Sequence, residues 1–357
     1  MLMLLGWPAR GFSQSAVTVA TGDGPVAVAL NTATNKIYVA NNDSDNVTVI
    51  DGATNATTTV AVGTEPYAVA VNPVTNKVYV VNQTTNNVSV IDGATNATTT
   101  VAVGTRPFGV AVDPVTNKIY VSNINDGDVT VIDGATNRTS TVAAGIEPGA
   151  LAVNTVTNKI YVANMESDNV TVIDGATDAA ATVATGKDPV ALAVDSVTNQ
   201  IYVTSLQDGN VTVIDGATNN TTSVAAGNDP DDVAVNSSTN EIYVVDTCGN
   251  DPSCSGDPGS FGAVTVIHGA TSSVHATPGA TLTVVRRPEA VAANPATNRI
   301  YVPHNATQNM TVIDGATNKT TTVAVGDGPH ALAVNPVTNK IYVANGGSAS
   351  VTVISGE

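Results

Sequence analysis

Basic residues are scarce in this chain. Only 13 Lys and Arg stand against 30 Asp and Glu, a formal net charge of −17 over 357 residues. Nucleic-acid binding needs clustered cations to neutralise phosphates, so this balance argues against such a partner. Aromatic residues make up 4% and charged residues 12%, whereas hydrophobic residues reach 42%. Enough apolar surface is present to offset chain entropy, which excludes a disordered chain, but large side chains are few. The Val, Ala, Thr and Asn that fill the rest suit thin β layers. No run of about 20 apolar residues occurs, so no transmembrane segment is expected. Cysteine is nearly absent. Cys248 and Cys254 lie in one insertion rich in Gly, Pro, Ser and Asp. They are expected to form a disulfide in a surface loop, as an oxidising compartment allows, the alternative being two free thiols. No phosphate-cradling Gly loop, Ser-His-Asp pattern or CxxC pair appears, so no cofactor is expected.

The N-terminus differs from the rest of the chain. Met1 to Trp7 is apolar and Pro8 to Ser15 is small and polar, with Ser13 and Ser15 placed before a cleavage point at Ala16. This is the pattern of a secretory signal without its basic start, the alternative being a disordered lead. Residues 1–15 are therefore expected to be a truncated signal peptide and 16–357 a single domain, located extracellularly, on the cell surface or in the periplasm.

Most of the chain is a repeat. An Ile-Tyr-Val or Val-Tyr-Val string centres on Tyr38, Tyr79, Tyr120, Tyr161, Tyr202, Tyr243, Tyr301 and Tyr342. The steps are 41 residues except between Tyr243 and Tyr301, where two insertions lengthen the unit. The second copy shows its content. Tyr67 to Val71 precedes Asn72-Pro73, then Val78 to Val81, Val88 to Ile91, Asp92-Gly93, and Thr98 to Val103. Four short β-branched runs are separated by turn residues, with Asn-Pro and Asp-Gly suited to tight reversal. Four strands in about 40 residues, repeated many times, indicate propeller blades. The strands are called a, b, c and d from the centre outwards. Ala16 to Thr21 aligns with a d strand, and the last copy ends after its c strand at Ile354. The expected fold is thus all-β: eight four-stranded antiparallel blades, the N-terminal strand completing the last and protecting its open edge, with seven blades as the alternative.

Ile37 to Asn41, Asn335 to Lys340 and Val49 to Thr54 resemble the YVTN-type β-propeller repeat, and the likeness runs from Ala16 to Ile354. It implies a cell-surface, secreted or periplasmic protein. The wider superfamily includes lactonase-like enzymes, a lyase and quinoprotein dehydrogenases, so function must be argued from the site. Members are often seven-bladed, from which eight units depart.

The copies disagree with one another in their b–c and d–a loops, which share one face of such a ring. Nineteen acids, Asp246 among them, fall there against four bases, Arg106, Lys187, Arg286 and Arg287. A face of one sign attracts cations and basic partners. Candidate ligand-binding residues lie beside each blade's leading Pro: Glu65, Tyr67, Arg106, Phe108, Glu147, Asp188, Asp229 and Arg287. Candidate catalytic residues are Asp231, Asp232, Glu289 and His330, from three consecutive blades, with His304 in a nearby loop. Carboxylates and imidazole together could perform acid–base work. Asp43, Asp45, Asp126, Asp128, Glu166 and Asp168 offer oxygens to calcium within single b–c hairpins, though each hairpin is too short to coordinate it alone. His268, in the place of a turn Asp, carries no expected role. The leading expectation is a monomeric module binding a protein, glycan or cation through the acidic face. The alternative is a lactonase- or lyase-like enzyme at the channel mouth.

Overall fold

The computed structural model describes residues 15–248, 261–269 and 276–356. Over these the regular secondary structure is all strand apart from three single-turn 3-10 segments. The expected signal segment, save Ser15, lies outside the described residues, as does Cys254.

Eight four-stranded antiparallel sheets form a closed ring, the β-propeller expected. In blade 1, a is Pro25–Asn31, b is Lys36–Asn41, c is Asn46–Asp51 and d is Thr57–Ala61. The a strands touch in order around the ring, and that of blade 8, Pro329–Asn335, returns to Pro25–Asn31. Their alternating small residues, such as Ala27 and Ala29, let neighbours converge at the axis. Ala16–Ala20 pairs with Ser350–Ser355 from Ala16↔Ile354 to Ala20↔Ser350, so the first strand completes the last blade.

Strands b and c are buried on both faces, and the neighbour that each side chain meets alternates with the period of two. Ile37 and Val39 pack on the preceding blade while Tyr38 packs on the following one. The core is therefore a set of eight interfaces between blades. The seam interface joins Val19, Tyr342, Val351 and Val353 to Ile37, Val39 and Ile50. All eight repeat tyrosines are at most 1% exposed.

The a–b and c–d turns add polar staples that are invisible in a single copy. Asn31 Nδ2 donates to Asn76 Oδ1 of the next blade at 2.9 Å, and Lys36 Nζ donates to Gly93 O at 2.6 Å. The seam repeats them: Asn335 Nδ2 donates to Asn35 Oδ1 at 3.2 Å, and Lys340 Nζ to Gly52 O at 2.5 Å. The Asp-Gly pair opens a tight turn, as expected. Asp51 Oδ1 accepts the N–H groups of Ala53 and Thr54, and Asn55 takes the left-handed conformation at φ 61°. Gly52 is required for a different reason, since a Cβ there would stand 2.5 Å from Asn35 Oδ1.

Blade 7 departs from the pattern. Its a strand is only Ala292–Asn294, whereas the others run seven residues from the Pro. The partnering b strand, Arg299–His304, contains Pro303, which has no N–H for a ladder. The N–H of Val291, just before that short strand, is taken instead by a side chain of blade 6.

The seam is the ring's one non-covalent closure. Val19→Ala should lower stability by about 1–2 kcal/mol. Truncation up to Ala20 should bare the edge of Ser350–Ser355 and drive association. Thermal melts with light scattering test this. A truncated chain that stays monomeric and melts unchanged would contradict the closure.

Candidate functional site

The residue after each blade's leading Pro stands at the end of the innermost part of its blade, the place expected at the channel mouth. Around the ring these are Val26, Tyr67, Phe108, Gly149, Val190, Asp231, Glu289 and His330. The carboxylates and the imidazole among them occupy consecutive blades, Glu289 in contact with His330 and Asp231 coupled to both through charge. His330 Nδ1 lies 2.8 Å from Glu289 Oε2, and Arg287 Nη2 lies 3.6 Å from Glu289 Oε1. The bond to Glu289 raises the His330 pKa above its usual 6.5. Asp231, half-buried, is pushed up to about 6, first by burial and then by the Glu289 charge. Its only hydrogen bond among the described residues comes from Thr247 Oγ1, 3.3 Å from Oδ2, and it forms no ion pair there. Across the ring, Tyr67 and Phe108 stack with centroids 4.7 Å apart at 41°.

Asp232, expected in this group, is engaged as a strut instead. Oδ2 accepts Val291 N–H at 2.9 Å and Oδ1 accepts Val233 N–H at 2.8 Å. Every other blade has Ala or Gly at this position. Asp232 thereby anchors the stretch of blade 7 that lacks a ladder, the stretch that carries Glu289. Burial raises its pKa to about 7.

His304 does not sit in a loop. It ends strand b of blade 7, fully buried, with Nε2 2.7 Å from Thr311 Oγ1. Burial lowers its pKa to about 4. Asp246, expected in the acidic loops, occupies the equivalent place in blade 6 and is likewise fully buried. It accepts from Thr265 Oγ1 at 2.8 Å and Gly227 N–H at 3.0 Å, and burial raises it to about 7. Five other blades place Asn here, where Asn41 Nδ2, for example, donates to Thr48 Oγ1. Sequence position alone does not tell an end-of-strand side chain turned inward from one in the loop beyond it.

The remaining candidates form the rim. Glu65, Arg106, Glu147, Asp188, Asp229 and Arg287 all take positive φ, between 51° and 56°. Three of the calcium candidates brace this rim through backbone amides: Asp45 accepts from Glu65 N–H, Asp126 from Thr105 N–H and Asp168 from Asp188 N–H. Asp128 accepts from Asn123 Nδ2, while Asp43 and Glu166 fall within the 3-10 segments. Among the described residues no three His, Cys, Asp or Glu side chains converge as a metal site. Cys248 is buried and is not a free thiol, and its expected partner Cys254 lies outside the described residues. His268 Nδ1 meets Glu241 Oε1 at 2.9 Å, at the cross-strand positions that hold Asp51 and Lys36 in blade 1.

A family model described as YNCE-like beta-propeller matches residues 60–257, a span that includes Asp231 and ends before Glu289 and His330. No curated protein sequence matches the chain significantly. Among solved structures it is similar to Saccharomyces cerevisiae Sqt1, with TM-score 0.77 and 10% identity over 95% of this chain and 98% of that one. It is also similar to Kuenenia stuttgartiensis hydrazine synthase, at 0.62 and 17% over 97% and 99%. A third is a catalytically inactive virginiamycin B lyase from Staphylococcus aureus with quinupristin, at 0.65 and 10% over 97% and 100%. Likenesses this remote concern the fold alone.

The buried acids set a pH dependence of known sign. Asp231, Asp232 and Asp246, raised to about 6, 7 and 7 from 3.8, hold protons that the unfolded chain has released. Their stabilising effect is full below about pH 4 and lost as pH rises through about 7. The raised His330 acts in the same direction, and His304, lowered to about 4, opposes them between about pH 4 and 6.5. Turn aspartates such as Asp51, lowered by the Thr54 N–H, lose their effect only below about pH 4. The melting temperature should be higher near about pH 5.5 than near about pH 8, and Asp246→Asn should flatten that difference. A midpoint rising steadily to pH 8 would contradict these environments.

Proposed function

The chain belongs to the YNCE-like β-propeller family, and on that footing we propose that it is a binding protein whose recognition site is the sector of the channel mouth spanning blades 6 to 8. One observation carries the reading. Of eight equivalent mouth positions, the three that carry a carboxylate or an imidazole are in neighbouring blades, and Glu289 joins His330 directly. Copies of one unit otherwise keep Val, Gly or aromatic residues there. Asp232, unique among its equivalents, holds the Glu289 segment in place. Two half-buried carboxylates side by side, one of them serving as a strut, are an arrangement that folding alone does not require.

The wider acidic face acts as a field that draws cationic or basic partners toward the mouth. Several rim acids brace loops, which narrows direct recognition to the mouth. We place the protein outside the cytoplasm, on the cell surface, secreted or periplasmic, a reading supported by the absence of free cysteine among the described residues. A second reading is acid–base catalysis at the same sector. It is favoured by Asp231, poised near neutral pH at about 6 beside an imidazole.

A screen of small molecules and short peptides by melting shift tests the site. Ligands that raise the midpoint of the wild-type chain should bind at least about tenfold more weakly to Glu289→Gln and Asp231→Asn. The rim variant Glu166→Gln should respond like wild type. Hits that ignore the mouth variants would contradict the assignment. Conversion of a hit, lost in Asp231→Asn, would favour the catalytic reading.

A further inference from the structure

The mouth is chemically divided, and the division names a ligand class. In a closed ring of eight, blades four apart face each other. Tyr67 of blade 2 therefore stands across the channel from Asp231, and Phe108 of blade 3 from Glu289. A second tier repeats the split. The first residue after strand b lies beside the mouth: Thr247 reaches Asp231, and Met165 Cε comes within 3.3 Å of where a Cβ on Gly149 would stand. This residue is apolar only in blades 3, 4 and 5, as Ile124, Met165 and Leu206, and is polar or Gly elsewhere. Blades 3 to 5 are thus apolar through both tiers and face Glu289 and His330 of blades 7 and 8, while Asp231 faces the Tyr67 ring of blade 2, which has Gln83 in its second tier.

The mouth charges of blades 6 to 8 are unequally matched. Glu289 already holds His330 and Arg287. Asp231 has a single side-chain hydrogen bond, from the Thr247 hydroxyl, and the repulsion of Glu289 and Asp229 is only partly offset by the His330 charge, with which it makes no direct ion pair. A cation placed against Asp231 would relieve that repulsion, whereas an anion would add to it.

We propose that the mouth takes an amphipathic organic cation: an aromatic or aliphatic ring seated on Tyr67 and Phe108, and a protonated amine against Asp231. Ring stacking and apolar burial hold one end, and the desolvated carboxylate selects the other. The inference rests on the mouth being the recognition site, and the probes separate the two claims. Tryptamine, tryptophol and indole-3-acetate share a ring and differ in the charge of the tail. Calorimetry near about pH 8 should rank tryptamine first by at least about tenfold over tryptophol, with indole-3-acetate weakest. The preference should shrink near about pH 5, as Asp231 takes a proton, and should vanish in Asp231→Asn. Phe108→Ala should weaken all three. Equal binding of the three probes, or indole-3-acetate bound best, with Phe108→Ala still harmful, overturns the cation class and leaves the site. Binding by none, or binding untouched by Asp231→Asn, Glu289→Gln and Phe108→Ala alike, overturns the site as well. Melting curves of each variant confirm that a lost signal is not lost fold.

Discussion

A four-stranded blade of short Val- and Thr-rich runs cannot bury both of its faces by itself. Everything else in the molecule answers that constraint. Each b strand sends Ile and Val to one neighbour and Tyr to the other, so no blade has a private core. Chains of this kind gain stability from interfaces between repeats and are incomplete until the ends meet. The meeting is made three ways: by the Ala16–Ala20 ladder, by Val19 in the seam cluster, and by the Asn335 and Lys340 staples onto blade 1.

The same constraint separates the two faces. On the a–b and c–d side the turns must register one blade against the next, so the copies keep Asn, Lys, Asp and Gly with little change. On the other side the loops brace one another through backbone amides, which many polar side chains can accept. Differences accumulate there, and blades 6 to 8 collect them. Asp231, Asp232, Glu289, His330, Asp246 and His304 all replace neutral residues found in most other copies.

The blade count and the closing strand were legible because the repeat is its own alignment. The triad of Asp231, Glu289 and His330 was legible because equivalent positions in neighbouring blades must be neighbours in space. What could not be read depends on side-chain direction. Asp232 follows Asp231 yet turns to Val291, because a missing ladder in blade 7 leaves an N–H to satisfy. Asp246 and His304 close their strands and point inward at Thr, which a loop-based count of charge places outside. The Glu241–His268 pair replaces a Lys and an Asp together, so neither substitution is interpretable alone.

Folding has built two opposite histidine environments in adjacent blades, one open and paired at the mouth, one sealed in the wall. The chain has four histidines, so proton NMR titration of their ring signals resolves them directly. His330 should titrate above the usual 6.5 and fall toward it in Glu289→Gln, while His304 should stay neutral down to about pH 4. A His330 that titrates at or below 6.5 and ignores Glu289→Gln, or a His304 that protonates like a free imidazole, would contradict this account of the mouth.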